Sequence, residues 1–399
     1  MLSRNVRATA KLVVQIFRIR PHNNITYVKY ITTFKETAIN FLEETLENNV
    51  CLQGTVSSVL KNVINNNAVI TSTYGKYNIM SLTDSEKIKK KEALNTLTNF
   101  IYKQSVYVLM QTINSIDAQC CDLLDVMSYY DIFKLLIFFT KTVPAKITRM
   151  NFYNKVIDLL REGILNKVFN KEETIFCIYF MGLAKERAAS DIRTALIYLE
   201  FDKLSLYETC IVAETAYKCG VKLSQTQIKD IEELVESKAK ILVADTSLLV
   251  PLCKVLLHAG LTTNFFPNNL NKEIVNRSHQ YQMIPAIHIL KLYREMCLAE
   301  HTVLQRLVTD IMAKMSLANQ KFEDKRGLYR SQIYEPKYID EFLWSICMLN
   351  HRLTEVQLLE IRTFLDSMQF YLFLKPQRLL RILLSLWILG YQPKSVCIH

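Results

Sequence analysis

The sequence predicts an all-α protein, an α-solenoid of stacked helical hairpins with about 36–41 residues per repeat and some irregularity. Three observations predict this fold. Half of the 399 residues are hydrophobic, and glycine and proline number only eight each, as in folded helical chains. Apolar segments with helical spacing recur at a near-constant interval. One motif that joins two helices occurs twice, about 130 residues apart.

The repeated motif combines a helix end with a helix start. Gly220 precedes Ser224 and Gln227 in the first copy, and Asn350 precedes Thr354 at the corresponding positions of the second. Glycine and asparagine tolerate the left-handed backbone that ends a helix. Ser or Thr followed three residues later by Gln forms a capping box at the start of the next helix. Two such copies predict a repeated helical hairpin.

Seven apolar segments follow from about residue 130. They are KLLIFFTKTV, TIFCIYFMGLAKE, YETCIVAETAYKCG, LLVPLCKVLLHAG, AIHILKLYREMC, FLWSICMLNHR and LLSLWILGYQ. Their centres lie about 36–41 residues apart, except for one gap of about 55 residues that contains the polar stretch NQKFEDKRGLYRSQIYEPKY. We predict an inserted loop there. An irregular helical bundle is the alternative that the imperfect period leaves open.

The N-terminus is strongly basic. Residues 1–35 contain seven Lys and Arg and no acidic residue, and thus carry most of the formal charge of +11. An Arg-rich, acid-free start with Ser, Thr and interspersed apolar residues is typical of a mitochondrial transit peptide. An ordinary basic first helix is the alternative. The chain then divides into a leader (1–35), an N-terminal helical region with a variable loop (36–125) and a helical-repeat domain (126–399).

The residues that carry chemistry form no recognisable site. The eight glycines stand singly, so the glycine-rich phosphate loops of kinases and P-loop enzymes are missing. The ten cysteines include no C-x-x-C pair, and the seven histidines show no zinc-ligand spacing. We predict a chain that is not an enzyme and takes no metal or cofactor. The longest apolar run, LLRILLSLWILG, is too short to span a membrane, so we expect no transmembrane segment.

Residues 191–261 resemble the helical region of the FAST-kinase-domain-containing proteins of mitochondria. The family's L-S-L-x-E helix start corresponds to 204–208, its small residue before x-x-L-S to 220–224, and its L-L-x-x-L-K-x-L helix to 248–256. The closing RLLRILLSLWILGYQPKSV is also similar to the family's leucine-rich last helix. The resemblance covers about residues 130–399. No segment matches the RAP module that usually ends these proteins, so we expect a short or divergent member, or a fragment.

The resemblance implies a non-catalytic RNA-binding protein of the mitochondrial matrix that supports processing, stability or translation of mitochondrial transcripts. Such a protein would bind single-stranded or precursor mRNA and contact mitochondrial ribosome or RNA-granule proteins. RNA binding requires cations for phosphates and flat groups for bases. The candidate residues are Lys375, Arg378, Arg381 and Lys394 near the C-terminus, and Arg326, Arg330, Lys337, Tyr329 and Tyr334 in the inserted loop.

Two alternatives to the RNA interpretation remain open. The helix after Pro376 is apolar apart from a stripe that includes Arg378 and Arg381, so we expect it to be mostly buried. Its arginines then either face RNA at a groove or pair with carboxylates. The modest charge of the chain beyond the leader also favours a different function, a protein–protein scaffold in mitochondrial ribosome or respiratory-complex assembly.

Overall fold

The computed structural model describes residues 34–48, 83–104, 106–259, 265–323, 336–368 and 376–390. These residues form α-helices and short 3₁₀ turns without any β-strand, so the all-α prediction is confirmed. The α-helices are α1 (Phe34–Asn48), α2 (Asp84–Lys103), α3 (Val106–Leu123), α4 (Tyr129–Thr142), α5 (Asn151–Leu165), α6 (Lys171–Gly182), α7 (Ala189–Ile197), α8 (Leu206–Lys218) and α9 (Gln225–Ser237). They continue with α10 (Ala239–Ala244), α11 (Thr246–Ala259), α12 (Asn268–Asn276), α13 (Met283–Glu295), α14 (His301–Glu323), α15 (Pro336–Met348), α16 (Glu355–Met368) and α17 (Pro376–Ile388).

From α5 onward the helices alternate between two rows. Helices α6, α8, α11, α13, α15 and α17 each pack against the next one in that order, and we call this set row B. The intervening helices α5, α7, α9, α10, α12, α14 and α16 form the second row, row A. Successive hairpins therefore add helices to both rows, with α9 and α10 together in row A between α8 and α11, and this is the helical-repeat arrangement that the sequence period predicts.

The repeated motif forms as predicted. Gly220 adopts a φ of 66°, and the Ser224 N–H donates to the Gln227 side-chain oxygen at 3.0 Å. The Gln227 N–H donates in return to the Ser224 hydroxyl at 3.3 Å, which completes the capping box. Residues 350–357 repeat these features, with a φ of 51° at Asn350. Both copies turn a row B helix into the next row A helix.

Both ends of the predicted inserted loop are helical. Its first residues, NQKFE, continue α14 to Glu323, and Pro336 near its end is the first residue of α15. Proline suits the first position of a helix because that position needs no hydrogen bond from its N–H. Polarity suggested a loop, but a helix facing solvent on one side accommodates the same residues. The remainder, 324–335, lies outside the described residues.

Helix α1 lies on row B, on the face away from row A. It packs against α4, α8 and α11. The Thr37 and Ser247 hydroxyls are 3.2 Å apart, and the Phe41 and Tyr207 rings stack with centroids 5.3 Å apart. Its buried face comprises Ala38, Ile39, Leu42 and Leu46. Its four glutamates and single lysine make it acidic, so a negative helix covers this part of row B.

The predicted leader falls almost wholly outside the described residues. Only its last two residues, Phe34 and Lys35, are described, and they begin α1. Burial and the nearby Lys218 lower the pKa of the half-buried Lys35 ammonium. None of the helices in the described ranges is long and apolar enough to cross a bilayer.

Helices α6 and α8 approach each other closely at Gly182. A Cβ atom on Gly182 would lie 2.2 Å from the Cγ2 of Thr215, well below any contact distance. Both residues are buried, and the Cys219 thiol lies 3.8 Å from the Gly182 carbonyl oxygen. The absence of a side chain at position 182 therefore sets the spacing of these two row B helices.

Gly182→Ala is expected to lower the free energy of unfolding by about 1–3 kcal/mol, because the added methyl group overpacks the junction of α6 and α8. Urea unfolding followed by circular dichroism measures the change. Thr215→Ser removes the methyl group that the new side chain meets, so the double variant should recover most of the loss. Equal losses in the single and double variants would show that the contact with Thr215 is not the cause.

Candidate functional site

The described residues carry no net charge. Of 49 basic and 38 acidic residues in the chain, 13 basic and 2 acidic residues lie outside the described ranges, which leaves 36 of each sign within them. The whole formal excess of +11 thus belongs to segments outside the described helices. A strongly positive surface that attracts a polyanion requires a local excess of Lys and Arg. Taken together, the described residues supply no overall excess of either sign.

Two lysines of row B pair with buried carboxylates of the neighbouring row B helix α8. Lys171 on α6 lies 3.2 Å from the Glu208 carboxylate on α8. Lys254 on α11 lies 3.3 Å from Glu214 on α8. Both glutamates are buried, so each lysine compensates a charge that would otherwise be costly to keep out of water. The pairs tie successive hairpins together and neutralise the surface between them.

The pairing is densest where α13, α15 and α17 meet. The Glu341 carboxylate on α15 lies 3.1 Å from Arg294, 4.0 Å from Lys291 and 2.9 Å from Arg381. Arg381 also pairs with Asp340, whose side chain is 1% exposed. These contacts form a continuous network of opposite charges across three helices. We call Lys291, Arg294, Asp340, Glu341 and Arg381 the charge network.

The sequence left open whether Arg381 faces RNA or pairs with carboxylates, and in the structure it pairs with two carboxylates. Its hydrogen bonds to Asp340 raise the pKa of the guanidinium above its ordinary value, although burial acts in the opposite direction. The guanidinium also lies 5.8 Å from the centroid of the Trp344 ring. A phosphate group could bind Arg381 only in competition with the two carboxylates, which would then lose their compensating charge. The geometry therefore gives Arg381 a structural role between α15 and α17.

The other predicted RNA-binding residues are mostly outside the described ranges. Arg378 is half-buried on the first turn of α17, and Lys337 is the second residue of α15. The predicted residues outside the described ranges are Lys375, Lys394, Arg326, Arg330, Tyr329 and Tyr334. The described residues therefore do not test whether the two basic segments form one surface. Their role in RNA binding stays a prediction.

The charge network predicts a dependence of stability on pH. Burial alone would raise the pKa of Glu341, but hydrogen bonds from Arg381 and Arg294 and the charge of Lys291 outweigh it and lower the pKa below 4.5. Because the folded pKa is depressed, ionised Glu341 stabilises the fold above pH 4.5 and this contribution is lost as the pH falls through the lowered value.

Glu341→Gln is therefore expected to destabilise the chain by about 1 kcal/mol at neutral pH and to flatten the acid side of its stability profile. Urea unfolding at several pH values between about 3 and 7 measures both effects. Glu355→Gln, on the exposed first turn of α16, is the matched control. A parallel profile for wild type and Glu341→Gln would contradict the assignment.

Helix α17 exposes an apolar stripe. Leu380, Leu384, Trp387 and Ile388 are 68%, 43%, 65% and 54% exposed. They lie at i, i+4, i+7 and i+8, so they share one side of the helix. The buried residues Ile382, Ser385 and Leu386 lie on the side that packs on α15. The expectation of a mostly buried helix was wrong, because only one side of α17 has a neighbour among the described helices.

No metal-binding arrangement is found in the ranges that the structure covers. No group of three or more His, Cys, Asp or Glu side chains there is placed to hold a metal ion. Burial raises the pKa of the Cys177 and Cys210 thiols well above the ordinary value and that of Cys253 to about 12. These thiols are therefore not poised as nucleophiles. They act as small buried side chains within row B.

The family resemblance rests on leucine-rich helix patterns, and the two rows show that those patterns are compatible with stacked hairpins. Stacked hairpins host many unrelated functions, so the architecture alone assigns none of them. Comparison of the chain with protein-family models, with curated proteins and with solved structures finds no match in any of the three.

Proposed function

We propose that this chain is a non-catalytic helical-repeat scaffold of the mitochondrial matrix. It binds an amphipathic helix of another protein in ribosome or respiratory-complex assembly. The observation that carries this proposal is the exposed apolar stripe of α17, next to the paired charges of the charge network. The mitochondrial setting rests on the basic leader and on the family resemblance.

The packing of helices within row B indicates what kind of partner fits α17. Each helix from α8 to α15 in row B packs between a preceding and a following row neighbour. Helix α17 packs on α15 and offers the same kind of face on its other side, with apolar residues at helical spacing. A partner helix with apolar residues at i, i+3, i+4 and i+7 would pack there as α17 packs on α15.

The size of the stripe is sufficient for a specific contact. Complete burial of a large apolar side chain contributes about 1.5–3 kcal/mol, and the four side chains of the stripe are each roughly half to two-thirds exposed. Their combined burial is therefore worth several kcal/mol before the costs of association. Trp387 is the expected anchor, since tryptophan is enriched among residues that dominate binding energy.

Site-specific crosslinking tests the scaffold proposal. A photo-reactive amino acid in place of Trp387 should link the chain in mitochondria to one reproducible partner, through a peptide with amphipathic helical spacing. Leu380→Glu should abolish that crosslink without changing the melting temperature. The matched control is the same photo-reactive residue in place of Ile241 on α10, which is 50% exposed. Equal labelling at both positions, or a partner retained with Leu380→Glu, would refute the proposal.

RNA binding is the second candidate function. The observation that favours it is the basic excess of the undescribed segments beyond the leader, which contain seven basic and two acidic residues. Binding of single-stranded RNA through Arg326, Arg330 and Lys375 would weaken steeply as salt rises. Fluorescence anisotropy over a salt series measures this. The variant with Glu in place of Arg326, Arg330 and Lys375 should lose RNA binding, whereas Lys240→Glu should retain it. If both variants bound RNA equally well, the three residues would not be the binding site.

The leader has its own test. Residues 1–35 fused to a fluorescent protein are expected to direct it to the mitochondrial matrix, because their positive charge and apolar residues match what the import machinery recognises. A control fusion in which Arg4, Arg7 and Arg18 become Glu should stay outside mitochondria. If the wild-type fusion stayed in the cytosol, the mitochondrial setting of both candidate functions would be wrong.

A further inference from the structure

A cleft with a volume of about 330 Å³ lies between two connections of the array. One is the connection from α5 to α6, and the other is the connection from α7 to the start of α8. Its lining includes Lys167, Phe169, Lys171, Tyr198, Glu200 and Lys203. Pockets for small molecules begin at about this size. Three lysines and a tyrosine in one cleft combine cations with a flat ring.

The backbone of Lys167 is held in position, and its ammonium group forms no ion pair with another described residue. The Lys167 backbone has a φ of 54°, fixed where α5 ends by a hydrogen bond from its N–H to the Ile164 carbonyl oxygen at 3.0 Å. Its ammonium lies 4.9 Å from the centroid of the Tyr198 ring. The ion pairs among the described residues include none to Lys167, and its side chain is exposed. It is thus a cation next to a ring, with no ion-pair partner among the residues that the structure describes.

The other two lysines differ in their availability. Lys203 pairs with Glu200, and both side chains are about two-thirds exposed. Exposed pairs of this kind are weak, so an incoming anion can replace Glu200 as the partner of Lys203. Lys171 is bound to the buried Glu208 and keeps that partner. The cleft therefore offers two ammonium groups, Lys167 and Lys203, to a ligand.

The floor of the cleft is apolar and rigid. Ile164 and Leu199 are buried, and the half-buried Phe169 ring meets the Tyr129 ring edge to face with centroids 4.9 Å apart. Tyr198 is 44% exposed, so part of this residue is accessible to a stacking partner. A ligand that fits needs a planar aromatic part for Tyr198 and the floor, and an anionic part for the two ammonium groups.

We propose that this cleft binds a nucleotide, either free or as one residue of a single strand, with its base on Tyr198 and its phosphate between Lys167 and Lys203. Stacking on a tyrosine face accepts any base, so the site selects for nucleotides as a class rather than for one base. The proposal stands independently of the partner helix at α17, which lies on other hairpins of the array.

Saturation-transfer NMR and calorimetry on the full chain test the site. The probes are AMP, UMP, a ten-residue oligouridine and inorganic phosphate. Both nucleotides are expected to bind, with at least tenfold weaker binding by Lys167→Glu and by Tyr198→Ala. Tyr217→Ala is the matched control, because Tyr217 also lies beside a lysine, Lys254, but that lysine is bound to Glu214. All three substituted side chains are exposed, so the variants should fold, and circular dichroism checks this.

The four probes and the three variants distinguish a strand, a free nucleotide and phosphate alone as the ligand. Tighter binding of the oligouridine than of UMP, with the same losses in the variants, would identify a strand as the ligand, whereas equal affinities would identify the free nucleotide. Binding of inorganic phosphate as strong as that of UMP would overturn the role of Tyr198. No nucleotide binding by wild type, or equal losses in Tyr217→Ala, would overturn the site itself. None of these results depends on the α17 stripe.

Discussion

Asp310→Ala is expected to lower the free energy of unfolding by about 3–5 kcal/mol. Asp310 on α14 pairs with Arg277, which follows α12, and both side chains are only 1% exposed. The Asp310 carboxylate also accepts the Tyr281 N–H at 3.1 Å, and the Arg277 guanidinium lies 3.9 Å from the Tyr281 ring centroid. Without Asp310 a guanidinium stays buried with no opposite charge, and that state is much more costly than a lost surface contact.

Urea unfolding of Asp310→Ala and of a matched control measures this effect. The control is Asp158→Ala, which removes an exposed carboxylate that also pairs with an arginine, Arg161, and should cost less than about 1 kcal/mol. The double variant Arg277→Met/Asp310→Leu should regain much of the stability, because an apolar pair leaves no buried charge. Similar losses for Asp310→Ala and Asp158→Ala would contradict the role given to burial.

Phe133→Ala should cost about 3–5 kcal/mol, the range for removing a wholly buried phenylalanine. Phe133 on α4 has no exposed surface, and its ring centroid lies 4.8 Å from that of Phe176 and 6.1 Å from that of Phe180, both on α6. Tyr129 on α4 adds a further ring, 6.4 Å away. This aromatic cluster connects the region before α5 to row B, so the variant weakens that junction as well as the local core.

Calorimetry and urea unfolding of Phe133→Ala measure the loss. Phe138→Ala on the same helix is the control, since Phe138 is only half-buried and should lose less than half as much. Native-state hydrogen exchange should show that Phe133→Ala speeds opening of α4 and α6 more than opening of α15 and α16. Uniform acceleration along the chain would show that the cluster holds no particular junction.

The parts of the fold that depend on nearby residues could be predicted from the sequence. Ser224 and Gln227 form a capping box because residues three positions apart meet at the start of a helix, whatever lies elsewhere in the chain. The recurrence of apolar segments predicts the stacking, since each hairpin must bury its apolar face against the next one. The polar stretch around Glu323 was misassigned, because polarity alone does not distinguish a solvated helix from a loop.

Features that depend on distant residues could not be predicted. Asp340, the partner of Arg381, lies 41 positions earlier, and only the packing of α17 on α15 brings the two side chains together. The exposure of Trp387 likewise depends on whether another helix covers α17, which a helical pattern does not reveal. The cleft joins Lys167 and Tyr198 from two separate connections. In each case the residue types in the sequence identify candidate functional residues, but the tertiary contacts determine their roles.

Helix α1 has a consequence for the order in which the chain assembles. The Thr37 and Ser247 hydroxyls that meet are 210 positions apart, so α1 is synthesised long before α11. Until α4, α8 and α11 have all formed, the apolar side of α1, with Ile39 and Leu42, is not fully covered and can contribute to aggregation. Docking of α1 closes a very long loop and is therefore a late, slow step in folding.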